Sequence, residues 1–200
     1  MKRLVYLISP EKIYKNFYTD LEEVLSSNKV KFFQLRLKKT SKNKIIKIGN
    51  KVKLITLKYN VNLIVNDNVG IANFLGAKGC HIGQLDGSID QARRKLKNKI
   101  LGVTCHNSKK LAKKAINNNA TYIAFGSFYK SKLKSKAKKA NLNILKWAKK
   151  NINKPTIAVG GINDKNYKKL IKAGANYIAI SSFIWDNPVL KPKDAIKKFI

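Results

Sequence analysis

Short apolar runs alternate with longer amphipathic segments along the whole chain. Most runs are rich in Val, Ile, Leu, Phe and Tyr and end in polar or glycine residues, as buried parallel strands do. They predict eight strands, over Leu4–Ile8, Val30–Leu37, Leu63–Val65, Gly79–Ile82, Ile100–Val103, Tyr122–Phe125, Thr156–Val159 and Tyr177–Ile180. The segments between them carry apolar residues at helical spacing, several behind Ser, Thr or Asn caps. They predict helices over Tyr18–Ser26, from Thr40 or Ser41 to about Lys58, over Val69–Leu75, from Ser88 to Leu96, from near Ser108, and over Asn141–Lys150, Asp164–Ala173 and Asp194–Ile200.

Strands that alternate with helices predict a parallel α/β fold. Eight such units favour a closed (β/α)₈ barrel, a small TIM barrel that takes up residues 1–200 as one domain. An open, doubly wound sheet is the alternative. In a barrel the carboxyl ends of the strands form the active-site face, so the polar residues that follow the strands are expected to form the site.

The stretch Asn62–Asp86 predicts a compact βαβ unit with an aspartate after each strand, Asp67 and Asp86. Parallel neighbouring strands bring both carboxylates to the same face. Two carboxylates suit Mg²⁺, which completes its octahedron with water and substrate phosphate. Without a metal, the pair would act as an acid and a base, since one carboxylate raises the pKa of the other. The remaining alternative is that each aspartate caps the helix that follows it.

Gly160-Gly161 follows strand seven, and Ser181-Ser182 follows strand eight. Loops at these two places commonly hold a phosphate in TIM barrels, through backbone N–H groups and serine hydroxyls. The alternative for the glycine pair is a tight turn.

Alternation along strand two sends Gln34, Arg36 and Lys38 to one side of the sheet. An arginine fork and a lysine suit a diphosphate, and a glutamine amide suits the edge of a heterocycle. His81 and His106 are interpreted as polar strand-end residues without a catalytic role.

The net charge of +33 raises nucleic acid or an anionic membrane as a partner. Nearly all the basic residues are lysines scattered along the chain, as an AT-rich coding bias produces, and no nucleic-acid motif accompanies them. Nucleic acid is therefore not favoured as a partner, whereas a positive field would concentrate phosphorylated small molecules. No apolar run reaches transmembrane length, and Leu4–Ile8 is too short for a secretory signal. With two cysteines in no metal-binding spacing, we expect a reduced, cytoplasmic protein.

Several ordered motifs over nearly the whole length resemble those of the thiamine-phosphate synthase family. They are Gln34-Leu35-Arg36-Leu37-Lys38, Ile64-Val65-Asn66-Asp67, His81-Ile82-Gly83-Gln84-Leu85-Asp86, Leu101-Gly102-Val103-Thr104-Cys105-His106 and Ala158-Val159-Gly160-Gly161-Ile162. Family members join hydroxymethylpyrimidine diphosphate to hydroxyethylthiazole phosphate and release diphosphate.

The resemblance implies a role for each motif. Residues 34–38, Asn66 and Thr104 would hold the pyrimidine diphosphate, with Mg²⁺ on Asp67 and Asp86, while Gly161, Ser181 and Ser182 would take the thiazole phosphate. Arg36, Lys38 and Lys134 would act in the reaction as cations on the departing diphosphate.

The loop after strand six departs from the family pattern G-P-x-x-x-T-x-T-K. Here Ser131, Lys132, Leu133 and Lys134 stand at its end, as further substrate-binding candidates. Ser131 keeps the first hydroxyl and Leu133 removes the second, which bears on the thiazole phosphate contacts and on the rate. The related thiazole tautomerases, which are isomerases on the same fold, are the main functional alternative. They generally lack the full aspartate pair and carry a histidine where this chain has Ser127.

Overall fold

All eight predicted strands are present, and they pair in parallel and in chain order until the eighth closes on the first. This computed structural model describes residues 3–129 and 139–199. The closed sheet confirms the predicted (β/α)₈ barrel and excludes the open, doubly wound alternative.

Helices cover the outside of the barrel. The strands are β1 Val5–Ile8, β2 Val30–Leu35, β3 Asn62–Asn66, β4 Gly79–Ile82, β5 Ile100–His106, β6 Tyr122–Phe125, β7 Thr156–Val159 and β8 Tyr177–Ile180. The helices are α1 Phe17–Ser26, α2 Lys42–Lys58, α3 Val69–Phe74, α4 Ile89–Leu96, α5 Lys109–Asn117, α6 Leu142–Asn151, α7 Tyr167–Ala173, α8 Ser182–Trp185 and α9 Pro192–Lys197. No helix in the described ranges is long and apolar enough to cross a membrane.

β1 begins one residue later than predicted and β3 is one residue longer at each end, whereas β2 and β5 differ by two and three residues at their carboxyl ends. β2 ends at Leu35 because the next N–H, that of Arg36, donates to the Ser9 hydroxyl at 2.9 Å instead of extending the ladder. β5 continues to His106, which pairs with Phe125 of β6 across an irregularity in the register. Both differences lie at the carboxyl face, where loops replace regular pairing.

The last part of the chain differs most from its prediction. The four-residue helix α8 was not predicted, because one helical turn shows no measurable periodicity. The final helix begins at Pro192, two residues earlier than predicted, with proline in its first turn.

Side chains alternate between two cores. Most apolar residues fill the layer between strands and helices, where Phe33 is fully buried. A smaller cluster fills the barrel interior, with Tyr6, Phe32 and Tyr122 among its members. Gly102 of β5 makes room for the last of these, since a Cβ there would lie 2.0 Å from Cζ of Tyr122.

Gly79 of β4 should be intolerant of substitution. A Cβ there would lie 2.1 Å from the carbonyl oxygen of Ile100, so alanine must push β4 and β5 apart. We expect Gly79→Ala to lower the free energy of unfolding by roughly 1–3 kcal/mol. Urea denaturation measures this loss, with Gly70→Ala as control, because a Cβ at Gly70 meets only the Asn68 side-chain oxygen, at 3.3 Å. Equal urea midpoints for the two variants would contradict the prediction.

Candidate active site

A cavity opens at the carboxyl ends of the strands. The predicted site residues that line it are Gln34, Arg36, Lys38, Asn66, Asp67, Asp86, Thr104, Gly161, Ser181 and Ser182. Residues from six strands and the loops that follow them therefore meet around one space.

Two residues of the predicted substrate strand face away from this cavity. Leu35 and Leu37 are 2% and 5% exposed and pack in the outer core, between the barrel and its helices. Their alternation with the polar residues of the strand explains this placement. Their side chains therefore do not reach the cavity, and any contact of these two predicted residues with a ligand would come from the backbone. The predicted residues Ser131, Lys132, Leu133 and Lys134 lie outside the described residues.

The loops after β3 and β4 hold the two aspartates. Asp67 adopts a left-handed conformation, with φ of 62°, and its N–H donates to the His81 carbonyl at 2.7 Å. The Asp86 carboxylate accepts a hydrogen bond from the N–H of Gly83 at 2.8 Å. Neither aspartate caps a helix, since the capping side chain of α3 is that of Asn68 and α4 begins after Ser88. The capping alternative is therefore excluded.

The two carboxyl groups contact each other, and Lys38 stands beside them. Burial, the hydrogen bond that the protonated Asp67 carboxyl donates to Asp86, and the negative charge of Asp86 all raise the pKa of the Asp67 carboxyl. The Lys38 ammonium, whose Nζ is 3.4 Å from Oδ2 of Asp67, acts in the opposite direction. A carboxylate pair that is short of positive charge is a suitable place for a cation.

Substitutions on either side of Asp67 should move its pKa in opposite directions. We expect Asp86→Asn to lower the pKa of Asp67, because a negative charge leaves, and Lys38→Met to raise it, because a cation leaves. The pH titration of the Asp67 ¹³Cγ resonance in metal-free protein measures both shifts. Lys39→Met, at an exposed neighbour, is the control. Shifts of the same sign in the first two variants would contradict this electrostatic account.

The donor set at this point fits Mg²⁺. Among the described residues there is no cluster of three or more His, Cys, Asp or Glu side chains that could hold a metal. Mg²⁺ does not need one, because it binds through one or two carboxylates and takes its other ligands from water and substrate phosphates. Asp67 and Asp86 are the residues that could hold it.

A line of hydrogen bonds crosses the barrel along the wall of the cavity. The Gln34 amide donates to the Tyr6 hydroxyl at 2.9 Å, and this hydroxyl is 2.7 Å from that of Tyr122. His81 joins the Tyr122 hydroxyl, 2.9 Å from its Nδ1, to the Thr104 hydroxyl, 2.8 Å from its Nε2. His81 is thus a buried member of a polar network rather than only a strand-end residue.

The loops after β7 and β8 form the opposite side of the cavity. Gly160 and Gly161 both have positive φ, of 105° and 62°. The Gly161 carbonyl accepts a hydrogen bond from the Asn166 amide at 3.0 Å, which fixes the orientation of the peptide. Ser182 begins α8, so its N–H has no partner within the helix. Positive φ and free N–H groups are what an anion-binding loop requires.

Ser9 connects the two sides of the cavity. Its hydroxyl accepts from the Arg36 N–H, and its carbonyl accepts from the Ser181 hydroxyl at 3.1 Å. Neither Ser9 nor the tyrosines Tyr6 and Tyr122 were predicted as site residues. Ser9 directly follows an apolar strand, and the two tyrosines lie within apolar strands. Strand alternation could have placed the tyrosines inside the barrel. Their hydrogen bonds could not be predicted, because they depend on the closure of the barrel.

Comparison with known proteins agrees with this geometry. The profile of the thiamine monophosphate synthase family matches residues 5–184. A thiamine-phosphate synthase from Pelagibacter ubique (strain HTCC1062) is 54% identical over 199 residues, which cover 98% of this chain and 96% of the relative. The thiamine-phosphate synthase of Erythrobacter litoralis (strain HTCC2594) is 37% identical over 186 residues, covering 90% and 87%.

A solved structure supports the fold independently. Thiamine phosphate pyrophosphorylase from Pyrococcus furiosus superposes with a TM-score of 0.88 at 24% identity, covering 98% of this chain and 93% of that one. The curated relatives above 30% identity described here are synthases, which disfavours the tautomerase alternative. The chain therefore belongs to the thiamine monophosphate synthase family.

Proposed function

We propose that this transferase joins hydroxymethylpyrimidine diphosphate to hydroxyethylthiazole phosphate, forming thiamine phosphate and releasing diphosphate. The observation that carries the proposal is the division of one cavity into two anion-binding sides. One side consists of the cations of β2 and the carboxylates after β3 and β4, and the other of the loops after β7 and β8. Two substrates that each carry phosphate need this arrangement.

The diphosphate belongs on the side of β2. Arg36 offers a planar fork of N–H donors that matches phosphate oxygens, and Lys38 offers a point charge. Asn66, at the end of β3, adds an amide beside them. Lys134 is proposed as a third cation on the same diphosphate, with Ser131, Lys132 and Leu133 as its neighbours in the substrate-binding loop.

Asp67 and Asp86 would hold Mg²⁺ against the diphosphate. When bound, Mg²⁺ neutralises negative charge that develops on the leaving group. Asp67 must be ionised for this role, and its raised pKa means that protons compete with the metal.

The reaction needs a good leaving group more than a base. The bond between the pyrimidine methylene carbon and the diphosphate oxygen breaks, and its electron pair leaves with the diphosphate. The thiazole nitrogen then donates its lone pair to the resulting cation, which forms the new carbon–nitrogen bond. Arg36 and Lys38 stabilise the charge on the departing oxygen, and the barrel wall positions the two rings.

The thiazole phosphate belongs on the other side. Gly161 supplies a backbone that an anion can approach closely, Ser182 supplies a hydroxyl donor, and the Ser181 hydroxyl would donate to the phosphate once its proton turns away from the Ser9 carbonyl. This placement puts the two phosphate groups at opposite ends of the cavity and the reacting atoms between them. Cys80 and Cys105 are free and buried, and we propose the cytoplasm as the compartment. Nucleic acid is not proposed as a partner.

The direct test is to incubate the purified protein with both phosphorylated precursors and Mg²⁺ and to identify the product by mass spectrometry. We expect thiamine phosphate and one equivalent of diphosphate, and no product when either precursor is omitted. Isomerisation of a thiazole carboxylate phosphate without formation of thiamine phosphate would identify a tautomerase instead.

A further inference from the structure

The hydrogen-bond line along the cavity wall has two distinguishable ends. It starts at Gln34 on β2 and reaches Thr104 on β5 through Tyr6, Tyr122 and His81, with every step between 2.7 and 2.9 Å. Both tyrosines are buried, each residue being 2% exposed, so their hydroxyl groups depend on these partners for hydrogen bonds. All five residues line the cavity, and Thr104 ends the line there with a hydroxyl that a ligand can meet.

The donors and acceptors along this line fix its direction. The Gln34 Nε2 donates to the Tyr6 oxygen, so the Tyr6 proton points to its other partner, the Tyr122 oxygen. The Tyr122 proton then points to Nδ1 of His81. A neutral imidazole that accepts at Nδ1 carries its proton at Nε2, and this proton points to the Thr104 oxygen. The Thr104 hydroxyl proton is thereby left to face the cavity.

The reverse direction would leave a buried proton without an acceptor. If Thr104 donated to His81 and His81 to Tyr122, the Tyr6 oxygen would receive hydrogen bonds from both of its partners. Its own O–H would then have no acceptor within the line, which is costly at a buried site. Burial raises the pKa of both phenols above their ordinary value, so each of the two tyrosines keeps its proton.

The packing around Tyr122 holds the rings of Tyr122 and His81 in place for these hydrogen bonds. Its ring lies over the His81 ring, with centroids 5.6 Å apart and planes 18° from parallel. It fits there because Gly102 carries no side chain. The Gln84 amide donates to the Thr104 carbonyl, which holds the backbone of the last residue in the line.

We propose that Tyr122 is a positioning residue that acts through the His81 ring to present the Thr104 hydroxyl as a hydrogen-bond donor to the substrate. The ligand atom that meets this hydroxyl is then an acceptor. On an aminopyrimidine that atom is a ring nitrogen with a lone pair, and not the amino group, which donates. The identity of this ligand rests on the proposed function, whereas the direction of the line does not.

The direction is measured by NMR of ¹⁵N-histidine-labelled protein without ligand. The chain contains two histidines, and His106→Gln identifies which ring signals belong to His81. We expect a protonated, pyrrole-type Nε2 and an unprotonated, pyridine-type Nδ1. In Tyr122→Phe the Nδ1 signal should shift as the ring loses its partner. A wild-type ring that carries its proton at Nδ1 would overturn the proposal.

The effect on the substrate is measured by a double-mutant cycle. We expect Tyr122→Phe and Thr104→Val each to raise KM for the pyrimidine diphosphate about five- to tenfold, the value of one hydrogen bond, and to leave KM for the thiazole phosphate unchanged. The double variant should be no worse than Thr104→Val alone, because the tyrosine acts through the threonine. Thr104→Ser keeps a hydroxyl and should retain the wild-type KM. Tyr59→Phe, outside the barrel on α2's carboxyl end, is the matched phenol control.

The outcomes separate the two proposals. Additive losses in the cycle, in an enzyme that makes thiamine phosphate, would overturn the positioning role alone. Absence of product from the wild type would overturn the proposed function and the aminopyrimidine assignment, and the histidine spectrum would still decide the direction of the line. If Tyr122→Phe does not fold, Tyr6→Phe interrupts the same line one step earlier and should shift the same His81 signal.

Discussion

Replacing Asp67 by asparagine should remove most of the synthase activity, with kcat/KM falling at least about a hundredfold. Charge stabilisation by a metal is worth several kcal/mol, and each 1.4 kcal/mol corresponds to a factor of about ten. Asparagine keeps the shape of the residue and tolerates the left-handed backbone at this position, whose φ is 62°. The loss would therefore report on the charge and not on the fold.

Two further measurements make the Asp67→Asn result specific. Part of the activity should return at high Mg²⁺ concentration, because the remaining carboxylate of Asp86 still binds the metal weakly. Asp90→Asn is the matched control, since Asp90 lies on α4 in an exposed ion pair with Arg94. Wild-type kinetics for Asp67→Asn at low Mg²⁺ would show that this aspartate is not a metal ligand.

Replacing Gly160 by alanine should damage both stability and thiazole phosphate binding. A Cβ there would lie 2.0 Å from the Oγ of Ser127 and 2.7 Å from its Cα, and the φ of 105° already disfavours a side chain. We expect the free energy of unfolding to fall by roughly 2–5 kcal/mol, from overpacking together with backbone strain. Because the next residue is Gly161, KM for the thiazole phosphate should also rise at least about tenfold, with KM for the pyrimidine diphosphate less affected.

Gly76→Ala is the control for the Gly160→Ala variant, because it also replaces a glycine of positive φ but creates no contact with Ser127. Gly76 also has positive φ, of 61°, but a Cβ there meets only the flexible side chain of Lys53, at 3.2 Å. Its substitution should cost about 1 kcal/mol and leave both KM values unchanged. Urea denaturation and initial-rate kinetics of the two variants measure the difference. Equal losses of stability would show that the contact with Ser127 is unimportant.

The sequence contains enough to predict the barrel and the neighbours within it. Each strand is a local apolar run, and consecutive parallel strands pair, so Asp67 and Asp86 had to emerge side by side. Alternation also predicts that Arg36 faces the opposite side of β2 from Leu35, and the outer core contains the latter. The family motif includes Leu35 because a motif is a run of consecutive residues. Only the residues of that run whose side chains point into the cavity can contact a ligand through them.

Contacts across the barrel could not be predicted in the same way. The hydrogen bond between Tyr6 and Tyr122 joins residues 116 positions apart, and it forms only because the sheet closes and Gly102 leaves space. The sequence around His81 does not reveal its hydrogen bonds, since Tyr122 and Thr104 come from other strands. Helix α8 was missed for a different reason, because its four residues are shorter than any periodic signal.

The central claim is that the aspartate pair binds a metal on the diphosphate, opposite the loop that binds the thiazole phosphate. Crystals grown with Mn²⁺, diphosphate and thiamine phosphate test it most directly, since Mn²⁺ accepts the same oxygen ligands and gives anomalous scattering. The anomalous map should show a Mn²⁺ peak between the carboxylates of Asp67 and Asp86, with the diphosphate between that peak and Arg36. A Mn²⁺ peak away from both carboxylates, or diphosphate bound beside Gly161, would contradict the claim.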